Sequence, residues 1–526
     1  MGIRRRTFLG AAAASLAAPG IARAASLLKF IPQADITILD PIWTTAYVTR
    51  NHGFLIFDTL YGTDANFNAS PQMVQGHVVD ADGKQWTMKL RDGLKWHDGT
   101  PVLAKDCVAS IKRWGARDAF GGTVLAFSDE IAAVDDKTIR FRLKKPFPLL
   151  PTALGKVGSN SCPMMPERLA MTDPFKQVTE MVGSGPFRWV AGERVVGSIA
   201  VYEKNTAYVP RPSGTPSGTA GPKIVNVDRI EWHIIPDAAT KTAVMQSGEM
   251  DWWENPPADN AQVLALDAKL VTRILDRTGN IGCMRLNHLV APFDNPAVRR
   301  VVLDAVTQDD FMISVAGDNA KLRHVPTGIF TPGTPMAADV GLGRFTAKKD
   351  FGKLKSDLEK AGYKGEKVVL LMPTDLAELK AEADVGADMF HKVGFNVDPQ
   401  ASDWGTVVQR RASQKPIAEG GWSVFSTFWT GLDQLTPAGH VFLRGQGKPG
   451  GQPGWPTSTA IEALRDEWLA APNEAAQKAL AVKLQEQAFI DVPYIPLGQY
   501  FQNTSYKKTV SGVLDGIPTF WNLKVA

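Results

Sequence analysis

Alternating apolar and polar side chains mark the strands of this chain, and apolar residues three or four apart mark its helices. Gln85-Trp86-Thr87-Met88-Lys89-Leu90 and Thr138-Ile139-Arg140-Phe141-Arg142-Leu143 alternate as half-buried strands do. Arg91-Asp92-Gly93 turns the chain, and Leu94-Lys95-Trp96-His97 reads as a further strand. Asp98-Gly99-Thr100-Pro101 is a turn by residue chemistry. A helix is predicted over 104–114, and Pro146-Phe147-Pro148 closes the segment. Antiparallel hairpins with one or two helices predict an α+β unit here. Upstream, Ile36-Thr37-Ile38-Leu39-Asp40-Pro41 reads as a short strand stopped by proline. Residues 48–61 read as a helix that includes Phe54, Leu55, Phe57, Asp58 and Leu60.

Past this unit, Gly183-Ser184-Gly185-Pro186-Phe187-Arg188-Trp189 opens another strand region, and Ser198-Ile199-Ala200-Val201-Tyr202 alternates as its partner. Residues 210–222 are rich in Pro, Gly, Ser and Thr and predict an exposed loop. A strand over 227–235 and a helix over 238–248 follow. From about residue 281 helices and strands alternate. Helices are predicted over 295–306 with Pro296 in the first turn, over 353–361, and over 376–393 ending at Gly394. Strands are predicted over 368–372 and 395–397. This βαβ rhythm predicts a second, α/β lobe. Late helices over 457–469 and 475–489 and terminal strands over 495–501 and 520–523 complete the pattern.

The first 24 residues stand apart from this pattern. Arg4-Arg5-Arg6-Thr7-Phe8-Leu9 precedes an Ala-rich apolar run, then Ala22-Arg23-Ala24. A basic segment, a short apolar segment and a small-x-small site predict a signal peptide. Arg5-Arg6 before Phe8-Leu9 resembles a twin-arginine signal, which exports folded proteins. The expected location is the periplasm, and cytosolic ATP- or NAD-driven enzymology is excluded with it. No cysteine at the cleavage site offers a lipid anchor, so a soluble protein is expected. Four of the 58 Lys and Arg lie in this segment, which leaves 54 to balance the 54 Asp and Glu. The remaining chain is near neutral, so its charge gives no reason to expect nucleic acid or an acidic membrane as partner. At roughly 500 residues it is too long for one core and long enough for two or three lobes. Cys107, Cys162 and Cys283 are odd in number and share no CxxC spacing. They read as small buried hydrophobes, although one disulfide stays open in an oxidising compartment.

Motifs of catalysis are missing: no GxSxG, HExxH or GxxxxGK[ST] occurs. Gly445-Gln446-Gly447-Lys448-Pro449-Gly450 spells GxGxxG, but it follows no clean strand and carries Pro where a helix would open. His97 beside Asp98 is more simply part of the turn, and the eight His form no pair at metal-ligand spacing. What remains is aromatic. Trp404, Trp422, Phe425, Phe428, Trp429 and Trp455 crowd one segment, interleaved with Asp403, Arg410, Arg411 and Asp433. Glycines adjoin several of them. Such composition suits a concave small-molecule site, though any single one of these rings serves equally well as core.

Several segments together carry a family likeness. The stretch Gln85 to Pro101, followed by Lys105-Asp106-Cys107-Val108, resembles the signature of the peptide/nickel-type solute-binding proteins of ABC importers, extracellular solute-binding family 5. In the family's order, Phe57-Asp58-Thr59-Leu60-Tyr61 is similar to its first helix, and Gly183-Ser184-Gly185-Pro186-Phe187 to its GTGPY turn. Asn287 with Pro292-Phe293-Asp294-Asn295-Pro296-Ala297-Val298-Arg299, and Pro493-Tyr494-Ile495-Pro496-Leu497, match later segments. The resemblance implies an α/β, two-lobed periplasmic-binding-protein clamp with an extra α+β domain inserted in the first lobe. Residues 25–62, 180–280 and 491–526 would form the first lobe, 63–179 the insertion and 281–490 the second lobe, with hinge crossings near 280 and 490.

The same resemblance implies a monomeric receptor that holds a peptide or other small solute between its lobes and delivers it to a membrane permease, without catalysis, cofactor, metal or nucleic acid. In the family's dipeptide binders a W-x-G-D segment supplies an Asp to the ligand's α-amine. Here Trp429-Thr430-Gly431 is followed by Leu432, so Asp433 takes that role only if the loop shifts by one residue. The candidate ligand-binding residues are Tyr47, Trp404, Trp422, Phe428, Trp429, Asp433 and Trp455. The alternatives are an exported peptidase or amidase-like enzyme and a periplasmic chaperone or sensor.

Overall fold

The predicted alternation at 85–90 and 138–143 becomes the centre of a four-stranded antiparallel sheet in the computed structural model, which describes residues 25–450 and 452–526. The predicted signal peptide, 1–24, lies outside the described residues. The sheet runs Val74–Val79, Gln85–Leu90, Thr138–Leu143, Ser128–Ala133. Trp86, Met88, Leu90, Ile139, Phe141 and Leu143 all point to its buried face, as a period of two requires. Helix Ala104–Gly115 packs there with Cys107, Ile111 and Trp114. Its start is fixed by Asp106, whose carboxylate accepts from the Leu103 N–H at 2.8 Å. Leu94–His97 is not a strand: only Lys95 bridges to Pro101, across the predicted turn at Gly99, where φ is +89°.

The first lobe is built on a seven-stranded sheet in the order Leu270–Ile274, Asn503–Lys507, Trp252–Trp253, Leu27–Ile31, Arg229–His233, Ile199–Lys204, Phe187–Trp189. Leu27–Ile31 lies parallel to both neighbours, and the remaining pairs are antiparallel. The second lobe is built on a six-stranded sheet: Arg323–His324, Ile495–Tyr500, Asn280–Leu286, Val424–Thr430, Lys367–Pro373, Asn396–Ser402. Helix Ala377–Val393 is the crossover between the parallel strands Lys367–Pro373 and Asn396–Ser402, the predicted βαβ unit. It ends at Gly394 with φ +103°, where a left-handed residue closes the helix. Helix Pro296–Ala305 is capped by Asn295, whose side chain accepts from the Ala297 N–H at 2.9 Å.

Three local expectations change. The first helix runs Tyr47–Ile56 and stops short of Phe57 to Tyr61, because the Ile56 carbonyl is taken by the Gly185 N–H at 2.8 Å. The Gly183-Ser184-Gly185 turn presses on that helix end so closely that a Cβ at Gly185 would lie 2.6 Å from the Leu55 oxygen. Residues 36–41 and 520–523 form no strand, and Phe520, Trp521 and Leu523 serve instead as buried anchors. The loop 210–222 is exposed only in part, since Thr219 and Ala220 are buried against Gly62. The three cysteines are free and buried, so none pairs with another.

The chain passes between the two large sheets at 275–279 and at 501–502. Ile495–Tyr500 pairs with Asn280–Leu286 inside the second sheet, so the second crossing follows Tyr500. The two crossings touch: the Gln499 side chain donates to the Thr278 carbonyl at 2.7 Å, and Asn280 Nδ2 donates to Gln502 Oε1 at 2.9 Å.

Candidate ligand-binding site

Strand Val424–Thr430 leaves the second sheet pointing at the first lobe, and its period of two aims side chains at two different spaces. Phe425 and Trp429 face a cavity of about 1070 Å³ between the second lobe and the inserted unit. Phe428 and Thr430 face a space of about 70 Å³ at the crossings, shared with Tyr47 and Arg50. The large cavity has Trp43 and the end of helix Ala104–Gly115 on one side, and Phe442 and helix Thr459–Ala470 on the other. Trp429 stands edge-on to Phe442, ring centroids 5.5 Å apart. Its buried indole N–H has no hydrogen-bond partner among the described residues.

Tyr47, Phe428 and Asp433 come together where the lobes meet. The Tyr47 hydroxyl donates to Asp433 Oδ2 at 3.1 Å and accepts from the Thr430 N–H at 2.8 Å. The other oxygen of Asp433 accepts from both the Ser159 N–H and its hydroxyl, each at 2.9 Å. Asp433 is thus buried in contacts to the first helix and to the inserted unit at once, against Gly158, where a Cβ would collide with its carboxylate. Burial, with the Asp433 charge beside it, pushes the Tyr47 phenol well above its ordinary range.

The other predicted residues lie elsewhere. Trp422 is fully buried inside the second lobe, donates to the Ser413 carbonyl at 3.2 Å, and packs on Phe425 and Trp455. Trp455 is likewise buried. Trp404 begins helix Trp404–Arg410, and its ring carries the Arg411 guanidinium, 5.2 Å from the centroid. Arg411 also lies 5.4 Å from the Phe425 ring and lines the large cavity. His97 is part of the turn: its Nε2 meets the Gly185 carbonyl at 3.1 Å, and burial pulls its pKa down to about 4.

Charged residues absent from the predicted set also line the large cavity. Lys156 pairs with Asp118, and Arg444 with Glu462 at 3.1 and 3.2 Å. Burial opposes ionisation of Glu462, but the Arg444 contacts hold its pKa below the ordinary value. Arg465, on helix Thr459–Ala470, is nearly inaccessible, and burial lowers its pKa to about 9. A sequence signal for it exists. Ile461, Arg465 and Trp468 fall at i, i+4 and i+7, which places a charge on the apolar stripe of the helix. Ser159 carries no such signal. Among the described residues no group of three or more His, Cys, Asp or Glu comes together in a way that could hold a metal ion.

The family model for the middle region of bacterial extracellular solute-binding proteins, family 5, matches residues 68–440. The chain belongs to that family. A Sinorhizobium fredii relative, the "Probable peptide ABC transporter periplasmic-binding protein y4tO", is 35% identical over 524 residues and is covered at 98% of each chain. Among solved structures, the periplasmic binding protein AgaA of A. tumefaciens R10, in complex with agropinic acid, superposes with TM-score 0.78 at 21% identity, over 95% of this chain and 99% of that one. DppA of Helicobacter pylori, in complex with the peptide STSA, superposes with TM-score 0.78 at 20% identity, over 95% and 98%. The receptor therefore has the two-lobed fold of these binding proteins. Among the described residues no helix is long and apolar enough to cross a membrane.

Proposed function

We propose that the receptor captures a peptide-like solute in the cavity of about 1070 Å³ and hands it, unaltered, to an ABC permease in the inner membrane. The observation that carries this reading is the place of that cavity. It lies between the second lobe and the unit inserted in the first, and the chain joins the two lobes at two adjacent crossings, so closing the clamp encloses whatever occupies it. Trp429 and Phe425 would wall the solute, with Trp404 backing Arg411. Trp422 and Trp455 would hold the strand from behind. Tyr47, Phe428 and Asp433 would latch the closed form, because Asp433 spends its oxygens on Ser159 and Tyr47. The moving bodies would be the first lobe with its insertion, 63–179, and the second lobe from 280 to 500.

The receptor is proposed to act as a monomer in the periplasm, exported by the twin-arginine motif at Arg5-Arg6. Membership of a family of solute-binding proteins favours binding over an exported enzyme. Incubating the purified protein with a peptide library and recovering the bound fraction by mass spectrometry tests the reading. Selective retention of intact peptides is expected. Steady conversion at catalytic protein concentration would overturn it.

A further inference from the structure

The cavity wall carries more positive charge than its own residues neutralise. Five cationic side chains line it: Arg117, Lys156, Arg411, Arg444 and Arg465. Lys156 is answered by Asp118 and Arg444 by Glu462. The only other carboxylate of the lining, Asp466, is exposed. Three guanidiniums are left over. Arg465 makes no hydrogen bond among the described residues; its nearest carboxylate oxygen, on Glu462, is 3.9 Å away and already engaged by Arg444, and its Nε is buried without a partner. Arg411 makes no side-chain hydrogen bond or ion pair among the described residues and lies over the rings of Trp404 and Phe425. Arg117 gives one nitrogen to the Trp43 carbonyl at 2.9 Å and leaves Nε buried and unpaired.

Two buried arginines elsewhere in the chain have more partners. Arg113 pairs with the buried Asp40 at 2.6 Å. Arg285 donates to the carbonyls of Pro453, Phe442 and Pro493 at 2.6 to 3.0 Å. Burying a cation without partners is costly, and burial accordingly lowers the pKa of Arg411 to about 10 and of Arg465 to about 9. A carboxylate brought into the cavity would remove that cost, because guanidinium–carboxylate pairs are strong, directional hydrogen bonds.

We propose that the solute is an organic anion whose carboxylate groups are held by Arg411 and Arg465 of the second lobe and faced by Arg117 of the inserted unit. This rests on the reading of the large cavity as the solute site. Charge from both bodies would also make the ligand itself a bridge that favours closure. The ammonium end of a peptide gains nothing from these three residues, so the acidic groups, rather than the amine, would set selectivity.

The test is calorimetric titration of the full protein with four probes: a tripeptide with two glutamates, its glutamine isostere, its lysine counterpart, and citrate. The glutamate peptide is expected to bind at least about tenfold tighter than the glutamine isostere, with affinity falling as salt rises. Arg411→Gln should erase most of that preference and Arg411→Lys restore part of it. Arg465→Gln, with its melting temperature recorded, is the second variant. If the glutamine or lysine peptide binds as tightly as the glutamate peptide, or the preference survives in both Gln variants, the inference is wrong while the peptide-receptor reading stands. If citrate binds in an Arg411-dependent way and no peptide does, the inference holds and the peptide reading falls. If no probe binds at millimolar concentration, the inference is overturned.

Discussion

Trp422 and Trp429 stand on the same short stretch and do opposite work. Trp422 is sealed in the second lobe, whereas Trp429 shows its ring to the cavity. Replacing Trp422 by Ala should cost about 3–5 kcal/mol of stability, with near-normal affinity in the folded fraction. Replacing Trp429 by Ala should weaken solute binding by about 2 kcal/mol, roughly thirtyfold, with a smaller loss of melting temperature. Paired titration and thermal melts separate the two. Nothing in the sequence distinguishes these residues, because the run between them mixes apolar residues with Ser and Thr on both faces and only the sheet decides which face is open. Asp433 poses a sharper question. If it latches the lobes through Ser159 and Tyr47, Asp433→Asn should weaken every ligand alike, roughly tenfold for the loss of a charge-assisted pair. If it meets a ligand ammonium instead, only amine-bearing ligands should suffer. Titrating one peptide and its N-acetylated form against the variant decides.

Regular elements were the most legible part of the chain. Gln85–Leu90 and Thr138–Leu143 alternate without exception, and Asn295-Pro296 announces its helix by a capping side chain and a first-turn proline. What sequence could not supply was the effect of distant contacts on element ends. The first helix stops at Ile56 because a turn more than a hundred residues later, at Gly183 to Gly185, claims its last carbonyl. Likewise Ile495–Tyr500 looks like any terminal strand until its partner, Asn280–Leu286, places it in the second sheet. The glycine turn gives a direct check. Gly185→Ala would drive a Cβ to 2.6 Å from backbone atoms of Leu55 and Ile56, with no flexible side chain to yield. A loss of about 2 kcal/mol or more in denaturant unfolding is expected, against less than half of that for Gly192→Ala, where nothing lies within 4 Å.

At the scale of the whole molecule, the groups around the two crossings bear on the pH response. Glu254 sits beside them, fully enclosed, accepting from the Gln33 N–H at 2.8 Å and from Asn51 Nδ2 at 2.9 Å. Burial raises its pKa from 4.5 to about 7, outweighing those hydrogen bonds and the nearby Arg50 charge. The folded protein therefore keeps a proton that the unfolded chain releases, so Glu254 makes stability fall as pH rises from 4.5 to about 7 and level off above. Glu254→Gln should flatten that fall and gain up to about 3 kcal/mol relative to the parent above pH ~7.5, read from melts across the window. The central claim, however, is that a solute held between the lobes closes them. Small-angle scattering tests it most directly, on protein stripped of bound solute by unfolding and refolding, then saturated with the probe that binds best in calorimetry. The account predicts that the saturated profile matches the closed structure, with Asp433 against Ser159 and Tyr47, and that the stripped protein has a larger radius of gyration. Identical profiles with and without bound solute would contradict it.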